Sequence, residues 1–247
     1  MDGNDLKKRF HPDARVAGFS RLDGTFPLYL PLLAELHEGS RVLDFGAGRG
    51  AQVRDDPIPF RRQLKDLRSH GAYVIGVDTD EAVLSNEFVD ESHVVASGEK
   101  LPVEDSSIDV VLCRWVFEHI EDPTPIATEF HRVLKPGGRV YAVTPNKWGY
   151  IAVCARMVPN RYHARTLTRI QPRRKDIDVF PTTYPLNTIR ALRRHFGSLF
   201  EIEVLRTSNE PSYSFGSVTL YRLFLILDRF TPTIFKPCMY VYLRKPV

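Results

Sequence analysis

The stretch Arg41 to Gly50, RVLDFGAGRG, constrains this chain more than any other. An apolar run that reads as a strand ends in a glycine-rich turn, the kind of loop that lets backbone approach a bound nucleotide. Asp44 stands two residues before the first of these glycines, Gly46. A carboxylate there opposes a pyrophosphate, so the turn calls for a different ligand.

The surrounding pattern says what sort of fold carries the turn. PLYLPLLAELHEG reads as a helix closed by Gly39, and PFRRQLKDLRSHG as another closed by Gly71. YVIGVD, SHVVA, SIDVVLC and RVYAVT read as further strands. Between the last two, Asp122-Pro123 predicts a capped helix with Ile126, Phe130, Val133 and Leu134 on its buried stripe, ended by Pro136-Gly137-Gly138. Alternation of strands and helices predicts an α/β fold with a parallel sheet covered on both faces. In such sheets ligands bind at the carboxyl ends of the strands, and Asp44, Asp78, Cys113–Trp115 and Thr144–Asn146 all fall there.

Beyond Asn146 the periodicity loosens. Residues 147–185 are rich in arginine, proline and tyrosine, with a short helix expected near YIAVCARMV. Regular pattern returns with LNTIRALRRHF, where Asn187 is the expected cap, then the strand FEIEVLR, a helix from Leu220 to Phe230 and a last strand MYVYLRK.

Composition narrows the class. The 247 residues suit one domain with additions or two small ones, and a hydrophobic share of 43% supports a sizeable core. Cys113, Cys154 and Cys238 have neither paired nor metal-ligand spacing, so neither disulfides nor a metal centre is expected. The charged N-terminus shows no secretory signal, and a cytoplasmic location is expected. Net charge is +4, too small to imply nucleic acid. Seven basic residues from Arg156 to Lys175 nevertheless occur without an intervening acid, as a solvated face or as a site for an anionic substrate or membrane surface. Val218 to Leu227 is too short to span a bilayer; a buried helix is the simpler reading, and contact with a membrane surface beside Arg222 and Arg229 the other.

Three readings compete for Gly46-Ala47-Gly48-Arg49-Gly50. A turn without ligand is the simplest. A nicotinamide dinucleotide site satisfies G-x-G-x-x-G/A through Gly46, Gly48 and Ala51, but Asp44 counts against it. S-adenosylmethionine has no phosphate; it carries an ammonium, a carboxylate and a sulfonium. Asp44 suits its ammonium, the glycines allow close approach, and Asp78 suits the ribose hydroxyls.

VLDFGAGRG, VIGVDTD, SGEKLPVEDSSIDVVLCRWVFEHIEDP and EFHRVLKPGGRVYAVTPN, in that order from about Arg41 to Asn146, resemble the class I S-adenosylmethionine-dependent methyltransferases of the type 11 branch. The resemblance implies a Rossmann-like doubly wound sheet of about seven strands, mostly parallel with an antiparallel last strand. It implies one domain: an N-terminal helical segment 1–40, a cofactor-binding core 41–146, a substrate-covering insertion 147–185, and a completion of the sheet over 186–247. Asp44, Gly46, Ala47, Gly48 and Gly50 would line the methionine part, Asp78 and Thr79 the ribose, and Ser97, Gly98 and Glu99 the adenine. Cys113 and Arg114 would meet the methionine end. Ser97 stands where many relatives have an aspartate, and the interval between the first two motifs is long.

Nothing at Cys113-Arg114-Trp115-Val116 matches the [DNS]-P-P-[YFW] motif of nucleic-acid amino methyltransferases, and Pro237-Cys238 reads as packing, so no nucleic acid is expected. Transfer from a sulfonium is an in-line displacement dominated by alignment, with a base only where the acceptor loses a proton. His119 is the candidate base, or else a structural residue of the turn; Glu118 is a weaker candidate, read in the first place as a cap or ion-pair partner. Trp115, Tyr150, Tyr184, Arg173 and Arg174 are candidate acceptor contacts. The expected reaction is O-methylation of a small-molecule, sugar or lipid-linked glycan acceptor. A non-catalytic cofactor-binding module and an NAD-dependent oxidoreductase are the alternatives.

Overall fold

The apolar runs of the sequence become strands of one sheet. A computed structural model of the chain describes residues 3–157, 184–211 and 214–247. The strands are β1 (Arg41–Phe45), β2 (Tyr73–Asp78), β3 (Glu91–Val94), β4 (Ile108–Arg114), β5 (Leu134–Pro145), β6 (Glu201–Thr207) and β7 (Cys238–Arg244). Their order is β3-β2-β1-β4-β5-β7-β6. The pairs β1–β2, β1–β4, β2–β3 and β4–β5 are parallel. Lys245, just past β7, exchanges backbone hydrogen bonds with Gly137 (3.0 Å) and Gly138 (2.9 Å) near the opening of β5, so β7 runs antiparallel to it.

The described helices are α1 (Gly3–Phe10), α2 (Pro12–Ala17), α3 (Thr25–Glu35), α4 (Ala51–Arg54), α5 (Pro59–Lys65), α6 (Pro123–Val133), α7 (Tyr150–Met157), α8 (Ile189–Phe196) and α9 (Val218–Phe230). Asp122 caps α6 as the sequence predicts, its Oδ1 accepting from Thr124 N at 3.1 Å. Several boundaries differ from expectation, among them PFRRQLKDLRSHG, which is α5 and a separate 3-10 turn over Leu67–His70 rather than one helix. The first long helix ends at Glu35, and Gly39, at φ +80°, instead joins the neighbouring loop through Gly71 O. α6 stops at Val133; Pro136-Gly137-Gly138 form an irregularity in β5 rather than the helix end. The cap of α8 is Thr188, because Asn187 is fully buried and committed elsewhere.

The chain divides into two compact units. One comprises Thr25–Thr144, Thr183–Leu205 and Met239–Val247 and holds the main core. In that core Leu43, Ile75, Val111, Phe117, Phe130, Phe196 and Val241 pack together from strands β1, β2, β4 and β7, helices α6 and α8, and the segment after β4. The other comprises Met1–Gly24, Pro145–Thr182 and Arg206–Cys238. Its contacts include Ser20 Oγ donating to Glu210 Oε1 at 2.7 Å, the Lys7–Glu210 ion pair, and Phe10 stacked on Tyr221 at 5.0 Å.

The long interval between the first two motifs is pinned by one carboxylate. Asp56 accepts from Arg61 Nη2 at 2.7 Å, Lys65 Nζ at 2.5 Å and Ile58 N at 2.9 Å. Burial works against its ionisation, but these hydrogen bonds prevail and hold the carboxyl below its usual range.

Candidate active site

Parallel pairing brings four strand ends to one edge. Phe45 pairs with both Val77 and Cys113, Asp78 with Val94, and Arg114 with Val143. Asp44, Asp78, Arg114 and Thr144 therefore collect at the carboxyl edge, as strand direction requires.

The glycine turn is shaped by what packs against it. Gly46 has φ +78°, and a Cβ there would lie 2.2 Å from Val116 Cγ2. Gly50 has φ +70°, and its Cβ would lie 2.4 Å from Asn86 Oδ1 and 2.7 Å from Phe88. Another L residue at either position would meet both a strained backbone and a clash. Around Gly48 the space is open, with Asp78 Oδ2 the nearest atom at 4.0 Å.

The turn's amides are used inside the protein. Gly46 N and Ala47 N donate to Val77 O at 2.8 and 3.1 Å, and Gly48 N donates to Asp78 Oδ2 at 2.8 Å. The other Asp78 oxygen accepts from Asp80 N at 3.0 Å. Two backbone donors thus fix the carboxylate, while each oxygen keeps a lone pair for a further donor.

Asp44 is buried and paired. Arg114 Nη2 donates to its Oδ2 at 2.5 Å, and Arg114 Nη1 donates to Tyr29 Oη at 2.5 Å. Asp44 Oδ1 and Arg114 Nε are buried without a hydrogen-bond partner. Burial pushes the Asp44 carboxyl up, and the guanidinium acts in the opposite sense. The sequence pointed to Asp44 as an open acid; the structure makes it half of an ion pair with one oxygen left over.

A cleft at this edge is lined by Phe45, Gly46, Asp78, Thr79, Glu99 and Leu101, among others, while Asp44 and Arg114 line a separate cavity with Gly50, Asn86 and Phe88. Glu99 Oε2 accepts from Ala96 N at 3.2 Å, which holds the Ser97-Gly98 turn, exposed and with Gly98 at φ +84°. Cys113 is fully enclosed in the core cluster. Burial, with the Asp44 charge second, pushes its thiol well up, so it does not supply a thiolate.

After β4 the chain turns sharply. Trp115 has φ +57° and is 45% exposed, and its N donates to Val143 O at 2.9 Å. His119 follows, partly buried, with its N on Val116 O at 2.9 Å. Tyr184 is held by its N–H on Glu118 O at 3.2 Å. Tyr150 belongs to the other unit, where it stacks on Phe224 at 6.4 Å. Arg173 and Arg174 lie outside the described residues.

One contributor escapes sequence reasoning, and another acts otherwise than the sequence suggests. Glu118, read there as a cap or ion-pair partner, is buried and accepts from Thr144 Oγ1 at 2.9 Å; Asn187 Nδ2 in turn donates to Thr144 Oγ1 at 2.7 Å. Asn86 Nδ2 donates to Gly48 O at 3.1 Å and lies 3.4 Å from Ala47 O, bracing the glycine turn from the neighbouring crossover. The only sequence signal for Glu118 is its place after β4, and Asn86 has none, since the contact spans 38 residues.

Known proteins resemble parts of this sequence and its fold. A family model described as "Methyltransferase domain" matches residues 43–142. A ubiquinone biosynthesis O-methyltransferase of Pseudomonas syringae pv. tomato is 32% identical over 120 residues, which are 44% of this chain and 46% of that protein. The chain thus matches about half the length of that relative. An S-adenosylmethionine-dependent methyltransferase from Aquifex aeolicus has a similar fold, with a TM-score of 0.51 at 16% identity over 99% of each chain. So does a geranyl diphosphate C-methyltransferase from Streptomyces coelicolor solved with S-adenosyl-L-homocysteine, with a TM-score of 0.53 at 14% identity over 90% of this chain and 78% of that one. The match runs from β1 into β5, so over residues 43–142 the chain is similar to a methyltransferase domain, on a fold that S-adenosylmethionine-dependent methyltransferases share.

Proposed function

We propose that the chain moves a methyl group from S-adenosylmethionine to an oxygen of a small-molecule acceptor. The observation that carries this reading is the state of the glycine turn. Its amides at Gly46, Ala47 and Gly48 are spent within the protein, while Asp44 keeps a buried oxygen without a partner. Such a turn offers an acceptor to a cation and few donors to a phosphate. The helix behind it, α4, has four residues and little dipole to offer a pyrophosphate.

The residues present fit the cofactor. Asp44 would take the ammonium, and Arg114, already bound to Asp44, would place positive charge near the carboxylate. Asp78 and Thr79 would receive the ribose, and Ser97, Gly98 and Glu99 the adenine side. Gly46, Ala47 and Gly48 would let the backbone come close, Gly50 shapes the turn through Asn86 and Phe88, and Cys113 contributes packing. When bound, the cofactor supplies a methyl group already activated by its sulfonium.

The protein's own work is then alignment, with a base for an acceptor that loses a proton. His119 is proposed as that base, and Trp115 and Tyr184 as acceptor contacts. The O-methyltransferase named among the relatives supports an oxygen acceptor of small size. A sugar or glycan acceptor rested on residues 147–185, most of which lie outside the described ones, and is not carried forward.

The test is to incubate the chain with methyl-labelled cofactor and fractionated cell extract. Label on a hydroxyl of a small molecule is expected. Label confined to protein or nucleic acid would overturn the reading.

A further inference from the structure

Helix α9 turns its apolar residues outward. Of its thirteen residues only Tyr221 is buried. Leu223, Ile226, Leu227 and Phe230 are 47%, 55%, 44% and 77% exposed, and they follow the i, i+3, i+4, i+7 spacing of a single helical face. A helix of a folded unit ordinarily points such a stripe at a core. Here the stripe lies away from Tyr221, the residue that stacks on Phe10 and bonds His11 Nε2 at 2.9 Å.

The patch extends past the helix. Ile234 and Phe235, in the short turn that follows, are 53% and 42% exposed, and Trp148 is 54% exposed. These are held together by Asn146, whose Nδ2 donates to Ile234 O at 2.9 Å and Lys236 O at 2.8 Å while its Oδ1 accepts from Trp148 N at 3.1 Å. A Cβ on Gly149 would lie 2.6 Å from the Pro237 Cα, so this turn is seated directly on the one carrying Ile234 and Phe235. An aromatic residue beside an exposed apolar stripe is the composition of a membrane-water boundary.

Charge chooses among the surfaces that could cover it. Arg222 and Arg229 lie seven residues apart on one helix face beside the stripe, and the helix's single acid, Asp228, is taken by Lys236 at 2.7 Å. A second copy would bring these arginines against their own kind, whereas an anionic lipid surface would attract them.

We propose that this face, Leu223, Ile226, Leu227 and Phe230 with Trp148 and the Ile234-Phe235 turn, rests on anionic phospholipid. Helix α9 lies in the plane of the interface, its stripe among the acyl chains and its arginines at the headgroups. No helix among the described residues is long and apolar enough to cross a membrane, so the association is peripheral. It is independent of which acceptor the enzyme methylates.

The test is co-sedimentation of the full chain with vesicles of phosphatidylcholine alone and of phosphatidylcholine with phosphatidylglycerol. Ile226→Glu/Phe230→Glu is the variant, since both positions are exposed and glutamate is a good helix former. Thermal melting and S-adenosylhomocysteine affinity, unchanged from the parent, show that it folds. The parent should sediment with the anionic vesicles, more weakly with neutral ones, and less as salt rises; the variant should lose roughly tenfold or more in binding. No sedimentation of the parent, equal sedimentation of parent and variant, or indifference to lipid charge would each overturn the proposal. So would a lipid-free dimer in sedimentation velocity that the variant converts to monomer, because the stripe would then be a protein interface.

Discussion

Arg114, at the end of β4, closes on Asp44 of β1, its Nη2 2.5 Å from the carboxylate Oδ2, with both side chains less than 10% exposed. Its other terminal nitrogen is on Tyr29 Oη of α3. The acid of the glycine turn is thereby held in place from two further elements. One oxygen of Asp44 and the Nε of Arg114 remain without partners, a carboxylate acceptor and a guanidinium donor side by side. A ligand bearing both an ammonium and a carboxylate answers that pair.

Breaking the pair from one side strands a buried charge. Asp44→Asn or Arg114→Gln should each cost about 3–5 kcal/mol in denaturant unfolding. The double variant should recover part of the loss, with a coupling on the order of 2 kcal/mol. Simple additivity would show that the two side chains are not paired in solution.

Asn86 acts on the turn from outside it. Asn86→Ala removes the brace on Gly48 O and opens space against Gly50, so S-adenosylhomocysteine affinity should fall about three- to tenfold and stability by about 1–2 kcal/mol. Isothermal titration together with thermal melting measures both. Unchanged cofactor affinity would limit Asn86 to packing.

His119 is tested by His119→Gln. If it removes a proton from the acceptor, kcat should drop by about 10²-fold or more while S-adenosylhomocysteine affinity stays as it was. A variant with the parent's kcat would leave alignment as the whole of the protein's contribution.

Asp56 gives a pH signature. Its folded-state carboxyl is held below the usual range, so its stabilisation is complete above the unfolded value of about 3.9. It is lost as pH falls through the lower folded value. Asp56→Asn should therefore cost about 1.5–3 kcal/mol near neutral pH, and the gap from the parent should close in acid. Urea titrations across that range check the sign; a gap that widened in acid would contradict it.

The sheet was legible in the sequence because its strands are short apolar runs between glycine and proline stops, and strand direction alone gathers Asp44, Asp78 and Arg114 at one edge. The partners were not legible. Arg114 and Asp44 are 70 residues apart and Arg114 and Tyr29 are 85 apart, so only the folded chain reveals that the turn's acid is half neutralised. Asn187 and Thr188 are both good caps, and the choice between them is made by the buried hydrogen bond from Asn187 to Thr144. The outward stripe of α9 has the same apolar periodicity as a core helix, so periodicity could not tell which way it faces.

The most direct test is calorimetric titration of the parent and of Asp78→Ala with S-adenosylhomocysteine and with NAD. The parent should bind S-adenosylhomocysteine at one site per chain and show no heat with NAD. Asp78→Ala, if still folded by thermal melting, should lose about tenfold or more in affinity, as removal of a charged acceptor from two hydroxyls requires. NAD binding by the parent, or S-adenosylhomocysteine bound equally well without Asp78, would contradict the account.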